Sequence, residues 1–328
     1  MGDVVFIGSC VGTLFALDRK TGLVRWSYDI GQDGDQSQFH GNPLVVNDQI
    51  ITGTDGSGIG YVYSFEMATG KVRWKYPITK GVPNGFGLPG DIVRLGNNIF
   101  GVTFGDELVS LNAESGKINW TFASGYSGRE FRWPQSPAVA ADRVFFGGIN
   151  GTVYALSAQS GQVIWKRDLG SRISTNLTAS GSDVYAGTAA GYVFRLNANT
   201  GEITAQMKLE TTPVGCPTVT ADSLLVFLNR GGGAGGAQTL LSLDLGLKQV
   251  RWRQAASSNW SVTRPFLWQG AVLAGNEEGE VKAFRLSDGA EQWAISLKGT
   301  IRSFGGYGEV LFIGNLGGMV CAYQPGKP

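Results

Sequence analysis

A short turn followed four residues later by a tryptophan recurs along this chain, and it limits the possible folds more than any other feature. The first copy reads Thr21-Gly22-Leu23-Val24-Arg25-Trp26. The turn glycine recurs at Gly70, Gly116, Gly161, Gly201 and Gly289, and the tryptophan recurs at Trp74, Trp120, Trp165, Trp252 and Trp293. Neighbouring copies lie about 40 to 48 residues apart, which is the period of β-propeller blades.

Two copies depart from this pattern. Ala205 stands where the fifth copy should have its tryptophan, and the copy that ends at Trp252 lacks the Thr-Gly turn. Because a large flat side chain is missing at Ala205, we expect one weaker contact between neighbouring blades there.

Short apolar runs that end in glycine precede each turn and are rich in β-branched and aromatic residues, as strands are. Examples are Val4–Gly8, Val144–Gly148, Val184–Gly187 and Val310–Gly314. Together with the tryptophan run they give four antiparallel strands per unit, which predicts an all-β propeller. No segment keeps an apolar period of 3.6 residues, so almost no helix is expected.

The pattern Ala-Leu-Asp/Asn-x-x-Thr/Ser-Gly-x-x-x-Trp resembles the tryptophan-docking repeat of the pyrroloquinoline-quinone-like (PQQ-like) β-propellers. This family includes quinoprotein alcohol dehydrogenases and the non-catalytic propeller lipoproteins of outer-membrane assembly, which are nearer in size to this chain. The resemblance covers nearly the whole chain and implies eight four-stranded antiparallel blades. It also implies that each tryptophan docks on the neighbouring blade, where such a side chain buries on the order of 200 Å².

We therefore expect one β-propeller domain over residues 1–328. The predicted repeats are residues 3–30, 40–78, 88–123, 134–170, 174–210, 214–255, 262–299 and 300–328.

Composition narrows the possible functions. The formal net charge is +1, and no basic block or basic-aromatic stripe argues for a nucleic-acid partner. No apolar run reaches the roughly 18 residues of a membrane span. The single histidine and the lack of a Cys-x-x-Cys motif argue against a Cys/His zinc site. We expect a monomer.

Cysteines and termini leave two questions open. Cys10 and Cys321 lie in the first and last units, where ring closure would allow a disulfide, but both and Cys216 could instead be small apolar fillers. Met1-Gly2 leads directly into a strand with no signal peptide, whereas the family resemblance favours the bacterial periplasm or envelope. Either upstream residues have been trimmed or the first and last blades are incomplete.

Aligning the innermost strands identifies a mostly polar set at one position, which we call the register set. Its members are Asn42, Asp91, Ser136, Asn176, Cys216, Arg264 and Arg302. Since strand side chains alternate in direction, this position should face the central funnel. The alternative is that these side chains cap strand ends at the rim.

Arginines and aromatic residues in the register set and the irregular loops before it predict a binding site at the funnel mouth. Guanidinium groups match carboxylates and aromatic faces stack on planar groups. The predicted ligand-binding residues are Arg264, Arg302, Arg132, Arg172, Asn42, Asn176, Phe39, Trp133 and Trp260. The alternative is that the arginines pair with Asp33, Asp35, Asp91 and Glu130 and only stiffen the loops.

The favoured hypothesis is a non-catalytic scaffold, without cofactor or metal, that holds a protein segment or a small anionic ligand at this mouth. The alternative is an enzyme with its active site in the central funnel, for which His40 and Asp91 are the candidate catalytic residues. A PQQ-dependent dehydrogenase with calcium is one form of that alternative. The sequence lacks the adjacent cysteines and the carboxylate-rich site that the family's enzymes use.

Overall fold

The computed structural model describes residues 3–33, 38–56, 58–79, 81–82, 85–126, 135–229, 237–261 and 264–324. It confirms the predicted fold class, an all-β, eight-bladed propeller of four-stranded antiparallel blades. Helical structure in these residues is limited to one 3₁₀ turn, Ile30–Asp33. The chain divides into two compact units, Met1–Ile173 and Ser174–Pro328, each with four blades.

The first unit contains blades 1 to 4 and a small accessory sheet. Its strands are β1 (Val4–Gly8), β2 (Thr13–Asp18), β3 (Val24–Asp29), β4 (Leu44–Val46), β5 (Gln49–Gly53), β6 (Asp55–Gly56), β7 (Gly60–Glu66), β8 (Val72–Ile78), β9 (Gly81–Val82), β10 (Gly85–Gly87), β11 (Val93–Leu95), β12 (Asn98–Val102), β13 (Glu107–Asn112), β14 (Ile118–Ala123), β15 (Ala138–Ala140), β16 (Arg143–Gly147), β17 (Thr152–Ser157) and β18 (Val163–Asp168). Blade 1 is β1-β2-β3, blade 2 is β4-β5-β7-β8, blade 3 is β11 to β14, and blade 4 is β15 to β18. The accessory sheet, β6-β10-β9, was not predicted.

The second unit contains blades 5 to 8. Its strands are β19 (Thr178–Ser180), β20 (Asp183–Gly187), β21 (Tyr192–Asn197), β22 (Ile203–Lys208), β23 (Pro213–Val219), β24 (Ser223–Asn229), β25 (Ala237–Asp244), β26 (Val250–Trp260), β27 (Phe266–Trp268), β28 (Ala271–Gly275), β29 (Glu280–Arg285), β30 (Glu291–Ser296), β31 (Ile301–Tyr307), β32 (Val310–Asn315) and β33 (Val320–Tyr323). Blades 5, 6 and 7 take four strands each in this order, and blade 8 is β31-β32-β33. Among the described residues, blades 1 and 8 therefore have three strands each.

Burial changes regularly across a blade. In blades 2 and 7 the second strand, β5 or β28, is buried along its whole length. The outermost strand alternates between partly buried and exposed residues, as in β3 and β14. A β-bulge interrupts the pairing of the last two strands in blades 1 to 7, between Ala16/Leu17, Ser64/Phe65, Ser110/Leu111, Ala155/Leu156, Arg195/Leu196, Ser242/Leu243 and Ala283/Phe284. Bulges add local twist, and each lies beside the residue that pairs with the tryptophan position.

The tryptophan of one blade lies on the turn glycine of the next. Trp26 Nε1 donates a hydrogen bond to the carbonyl of Met67 at 3.0 Å, and a Cβ on Gly70 would lie only 2.6 Å from the Trp26 ring. Gly70 has φ +73°, a region that favours glycine. The glycine is therefore required twice, for the turn and for the indole that covers it.

Three further seams use the same contact. The indole N–H donates to the carbonyl three residues before the turn glycine, in the pairs Trp74–Ala113, Trp120–Ala158 and Trp252–Leu286, at 3.1, 3.3 and 2.8 Å. The rings cover Gly116, Gly161 and Gly289 respectively.

Blade 5 has a different contact at its seam with blade 6. Ala205 packs against an apolar cluster that contains Leu247. Leu247 lies one residue before the position that holds glycine in the other turns, has φ 53°, and is 4% exposed. A leucine from the neighbouring turn thus occupies the seam that lacks a tryptophan.

An aspartate or asparagine fixes several of these turns. Asp18 Oδ1 accepts hydrogen bonds from the backbone N–H groups of Lys20 and Thr21 at 3.0 and 2.9 Å. The Arg25 guanidinium, 2.6 Å from Oδ2, and these N–H groups hold the pKa of Asp18 far below its usual range. Asn112 binds the backbone of the third blade's turn in the same way.

Cys10, Cys216 and Cys321 form no disulfide, so the bridge considered for Cys10 and Cys321 is absent. In the part of the chain that the structure describes, no helix is long and apolar enough to cross a membrane.

Candidate functional site

In the first unit, the members of the register set hydrogen-bond to one another. The backbone N–H and the Nδ2 group of Asn42 both donate to Asp91 Oδ1 at 2.9 Å. The backbone N–H of Asp91 donates to Ser136 Oγ at 2.9 Å. A Cβ on Gly90 would lie 2.7 Å from Ser136 Oγ, so the backbone approaches closely here. These three residues hold together the starts of three neighbouring innermost strands.

In the second unit, the innermost strands are also joined beside the register set. The backbone N–H of Asn176 donates to the carbonyl of Gly215 at 2.8 Å, next to the half-buried Cys216. Thr218 Oγ1 donates to the carbonyl of Pro265 at 2.8 Å, next to Arg264. The strands of blades 5, 6 and 7 therefore begin side by side.

Arg264 and Arg302 are both exposed. Ser261, three positions before Arg264 in the sequence, contacts the strand that carries Arg302. Ser261 Oγ donates to the carbonyl of Ile301 at 2.5 Å, and Arg302 Nη1 donates to the carbonyl of Ser261 at 3.4 Å. Within the described residues, the Arg302 guanidinium makes no ion pair with a carboxylate. Two cationic side chains therefore occupy the same aligned position, that of the register set, on neighbouring innermost strands.

Two of the predicted aromatic ligand-binding residues are buried. Phe39 and Trp260 are each 2% exposed. Phe39 packs on Gly8 in the cluster that contains Tyr63. Trp260 lies between Phe227 and Phe284. Neither ring presents a free face for a planar ligand.

Of the three other predicted residues, Arg172 alone lies in the part of the chain that the structure describes. Arg172 is half-buried at the end of the first unit. Arg132 and Trp133 lie outside the described residues.

The two candidate catalytic residues, His40 and Asp91, each contact another residue: Asp91 accepts from Asn42 as described above, and His40 contacts Asp55. His40 Nδ1 lies 2.7 Å from Asp55 Oδ1, and Asp55 is 5% exposed. Asp55 begins the accessory sheet, and its backbone pairs with that of Gln38. Such a carboxylate fixes the orientation of an imidazole. Asp55 was not among the predicted site residues, because its only sequence signal is the glycine-rich stretch that follows Thr54.

Metal ligands are not grouped in the described part of the chain, where no three His, Cys, Asp or Glu side chains converge.

Comparisons with known proteins identify the family. The model of the family described as "Outer membrane protein assembly factor BamB" matches residues 1–121 and 106–302. BamB of Burkholderia pseudomallei is 26% identical over 180 residues, which are 53% of this chain and 44% of that protein. The chain spans about half the length of the curated relatives it matches.

Similarity to solved structures supports the fold of this chain and nothing further. BamB from Moraxella catarrhalis superposes with a TM-score of 0.78 at 17% identity, covering 99% of this chain and 94% of that one. Quinohemoprotein alcohol dehydrogenase from Comamonas testosteroni gives a TM-score of 0.70 at 13% identity, covering 95% and 68%. BamB and an alcohol dehydrogenase therefore share this fold, and the family must be assigned from the sequence. On that match, the chain belongs to the family of outer membrane protein assembly factor BamB.

Proposed function

We propose that this protein is a non-catalytic scaffold in outer-membrane protein assembly, and that it holds an acidic protein segment or a small anionic ligand at Arg264 and Arg302. The family and the names of the relatives support the assembly role. The observation that carries the binding site is the exposed Arg302 guanidinium, which donates a hydrogen bond to the carbonyl of Ser261, three positions before Arg264 in the sequence.

The chemistry of the site favours an anion. Arg264 and Arg302 are two exposed positive charges on neighbouring innermost strands, and a negative group beside them offsets their like charge. A carboxylate can accept two parallel N–H bonds from an arginine, and such charged bonds are stronger than neutral ones. A glutamate or aspartate side chain on a bound segment fits this requirement, as does a free carboxylate. The proposed role needs no cofactor and no catalytic step.

The test replaces both arginines with glutamine. A fluorescent hexaglutamate peptide and succinate serve as probes, at two salt concentrations, because ionic contacts at the surface are screened over about 10 Å at 0.1 M salt. We expect the double variant to bind the peptide about tenfold more weakly or worse, as loss of charged hydrogen bonds predicts. Its melting temperature without ligand should equal or exceed that of the wild type. Arg285→Gln, which removes an exposed arginine paired with Asp288, is the matched control.

Two results would contradict the site. One is unchanged peptide binding by the double variant. The other is a double variant that melts well below the wild type in ligand-free buffer, since the arginines would then be structural. The assembly role has its own test, which is co-purification of the wild-type protein with outer-membrane assembly proteins from a bacterial envelope. Failure to co-purify would remove the assembly role and leave the anion site standing.

A further inference from the structure

The outermost strand of blade 3 carries no charged residue. β14 reads Ile118-Asn119-Trp120-Thr121-Phe122-Ala123, and in the described part of the chain its only strand partner is β13. Its free side therefore presents unpaired backbone N–H and C=O groups, as edge strands do. Natural proteins protect such edges with charged side chains or proline, because an unprotected edge can pair with another strand.

The outermost strands of blades 1, 2, 4, 5, 6 and 7 have this protection. Each contains at least one charged side chain: Arg25 in β3, Lys75 in β8, Lys166 in β18, Lys208 in β22, Arg253 in β26 and Glu291 in β30. β8 also contains Pro77, which cannot donate to a neighbouring strand. The β-bulge is common to blades 1 to 7, so it does not compensate for the missing charge in β14 alone.

The edge of β14 is also accessible. Ile118 is 44% exposed, and Asn119, Thr121 and Ala123 are exposed as well. Blade 3 is an inner blade of the first unit, where Trp74 joins it to blade 2 and Trp120 joins it to blade 4. Both neighbouring blades are therefore in place, and they leave this edge open.

The sequence of β14 is suited to pairing with itself. In an antiparallel pair of two copies centred on Thr121, that residue faces Thr121 of the second copy, and Trp120 faces Phe122 of the second copy. Threonine pairs and aromatic pairs are both favourable across antiparallel strands. Trp120 and Phe122 are only half-buried, so part of each ring remains available for this contact.

The same pairing is unfavourable for three other outermost strands. The residue that follows the tryptophan is Lys75 in β8, Lys166 in β18 and Arg253 in β26. Each of these would face its own copy across the two-fold axis, and like charges directly opposite each other destabilise a strand pair. Blade 3 avoids this repulsion.

We propose that β14 is a homodimer interface, in which it pairs antiparallel with β14 of a second copy and joins two four-stranded blades into one sheet. The interface is the same patch on both copies, as two-fold symmetry requires. A strand pair of six residues is at the small end of interface sizes, below about 1,200 Å², so the dimer is weak and depends on protein concentration. The inference goes beyond the proposed scaffold function and departs from the monomer that the sequence led us to expect.

Sedimentation velocity of the full chain tests the dimer. Over about a hundredfold range of concentration, the wild type should pass from monomer to dimer, as mass action requires of a weak interface. Thr121→Lys places like charges opposite each other and should weaken association at least about fivefold. Gln206→Lys is the matched control, because it adds the same charge at the equivalent exposed position of β22. This control should associate like the wild type.

A pair of opposite charges tests the two-fold arrangement itself. Thr121→Glu alone should weaken association, as Thr121→Lys does. An equimolar mixture of the two variants places opposite charges across the axis, so its association should return at least to the wild-type level. Hydrogen exchange gives the location: in the wild type, amides of residues 119–123 should exchange more slowly as the protein concentration rises.

The inference is overturned if the wild-type chain stays monomeric over the whole range, which is also the result expected if β14 accepts a strand of a different protein instead. It is overturned equally if Thr121→Lys associates like the wild type, if Gln206→Lys loses association to the same extent, or if the mixture associates no more tightly than either variant alone. Melting temperatures check that the three variants remain folded. Because these experiments use the purified chain alone, their failure and the failure of the proposed scaffold function are distinguishable.

Discussion

The seam between blades 5 and 6 gives the sharpest test of the docking arrangement. The sequence predicts that Ala205→Trp stabilises the protein if the seam has kept room for an indole. In the structure, Ala205 packs against the cluster that contains Leu247, which is 4% exposed. We therefore expect Ala205→Trp alone to destabilise the fold, and Ala205→Trp with Leu247→Gly to make room for the indole at this seam.

Each single change has a magnitude that follows from the structure. Overpacking by Ala205→Trp should cost about 1–3 kcal/mol. Removing the buried leucine side chain at position 247 should cost about 2–5 kcal/mol. Relief of its left-handed backbone (φ 53°) returns about 1–2 kcal/mol. If the two changes were independent, the double variant would lose the sum of these contributions, about 1–7 kcal/mol of stability.

The double-mutant cycle is measured by equilibrium urea unfolding of the four proteins. We expect the double variant to be at least about 2 kcal/mol more stable than the sum of the single changes predicts. A coupling energy of this size is within the range measured for residues in contact. Simple additivity of the two single changes would refute the reasoning, because it would mean that Leu247 does not substitute for an indole.

Three further outcomes follow from the described contacts. Trp120→Ala should lower the free energy of unfolding by about 3–5 kcal/mol, and a thermal melt equal to that of the wild type would show that this indole is not docked. Burial raises the pKa of Asp106 above its ordinary 3.8, so the native state retains that proton longer than the unfolded state, and wild-type stability should fall as pH rises from 3.8 through the raised pKa. Asp106→Asn should abolish that part of the pH dependence in urea unfolding. Burial and the hydrogen bond to Asp33 raise the pKa of Tyr28 to about 12, so Asp33→Asn should lower it in an ultraviolet pH titration and lessen the loss of stability between pH 10 and 12.

The repeat was sufficient to predict the blades, because each blade repeats the same strand and turn chemistry within about 45 residues. The docking glycine was predicted as a turn residue only. Its second role, as the surface beneath an indole, depends on contacts such as Trp26 with Gly70, which are more than 40 positions apart. A single sequence shows which residues recur. It does not show which face of a turn the adjacent blade covers.

The candidate site was harder to predict because its residues lie in irregular connections between strands. Asp55 reaches His40 only because an inserted hairpin forms the accessory sheet. Phe39 and Trp260 lie in loops and strand ends that the alignment assigned to the mouth, yet both rings are buried in blade cores. Apolar character alone did not distinguish a core residue from a ligand-binding one.

The position of the docking contact has a consequence for how such a protein can diversify. Four of the seams are secured at the outer turn by one indole, one glycine and one carbonyl, as in Trp26 with Gly70 and Met67. The connections that lead from one blade to the next innermost strand take no part in that contact. They can therefore lengthen or change composition without loosening the seams, and β9 and β10 show one such insertion between blades 2 and 3. New binding chemistry can arise in these connections while the rim stays the same.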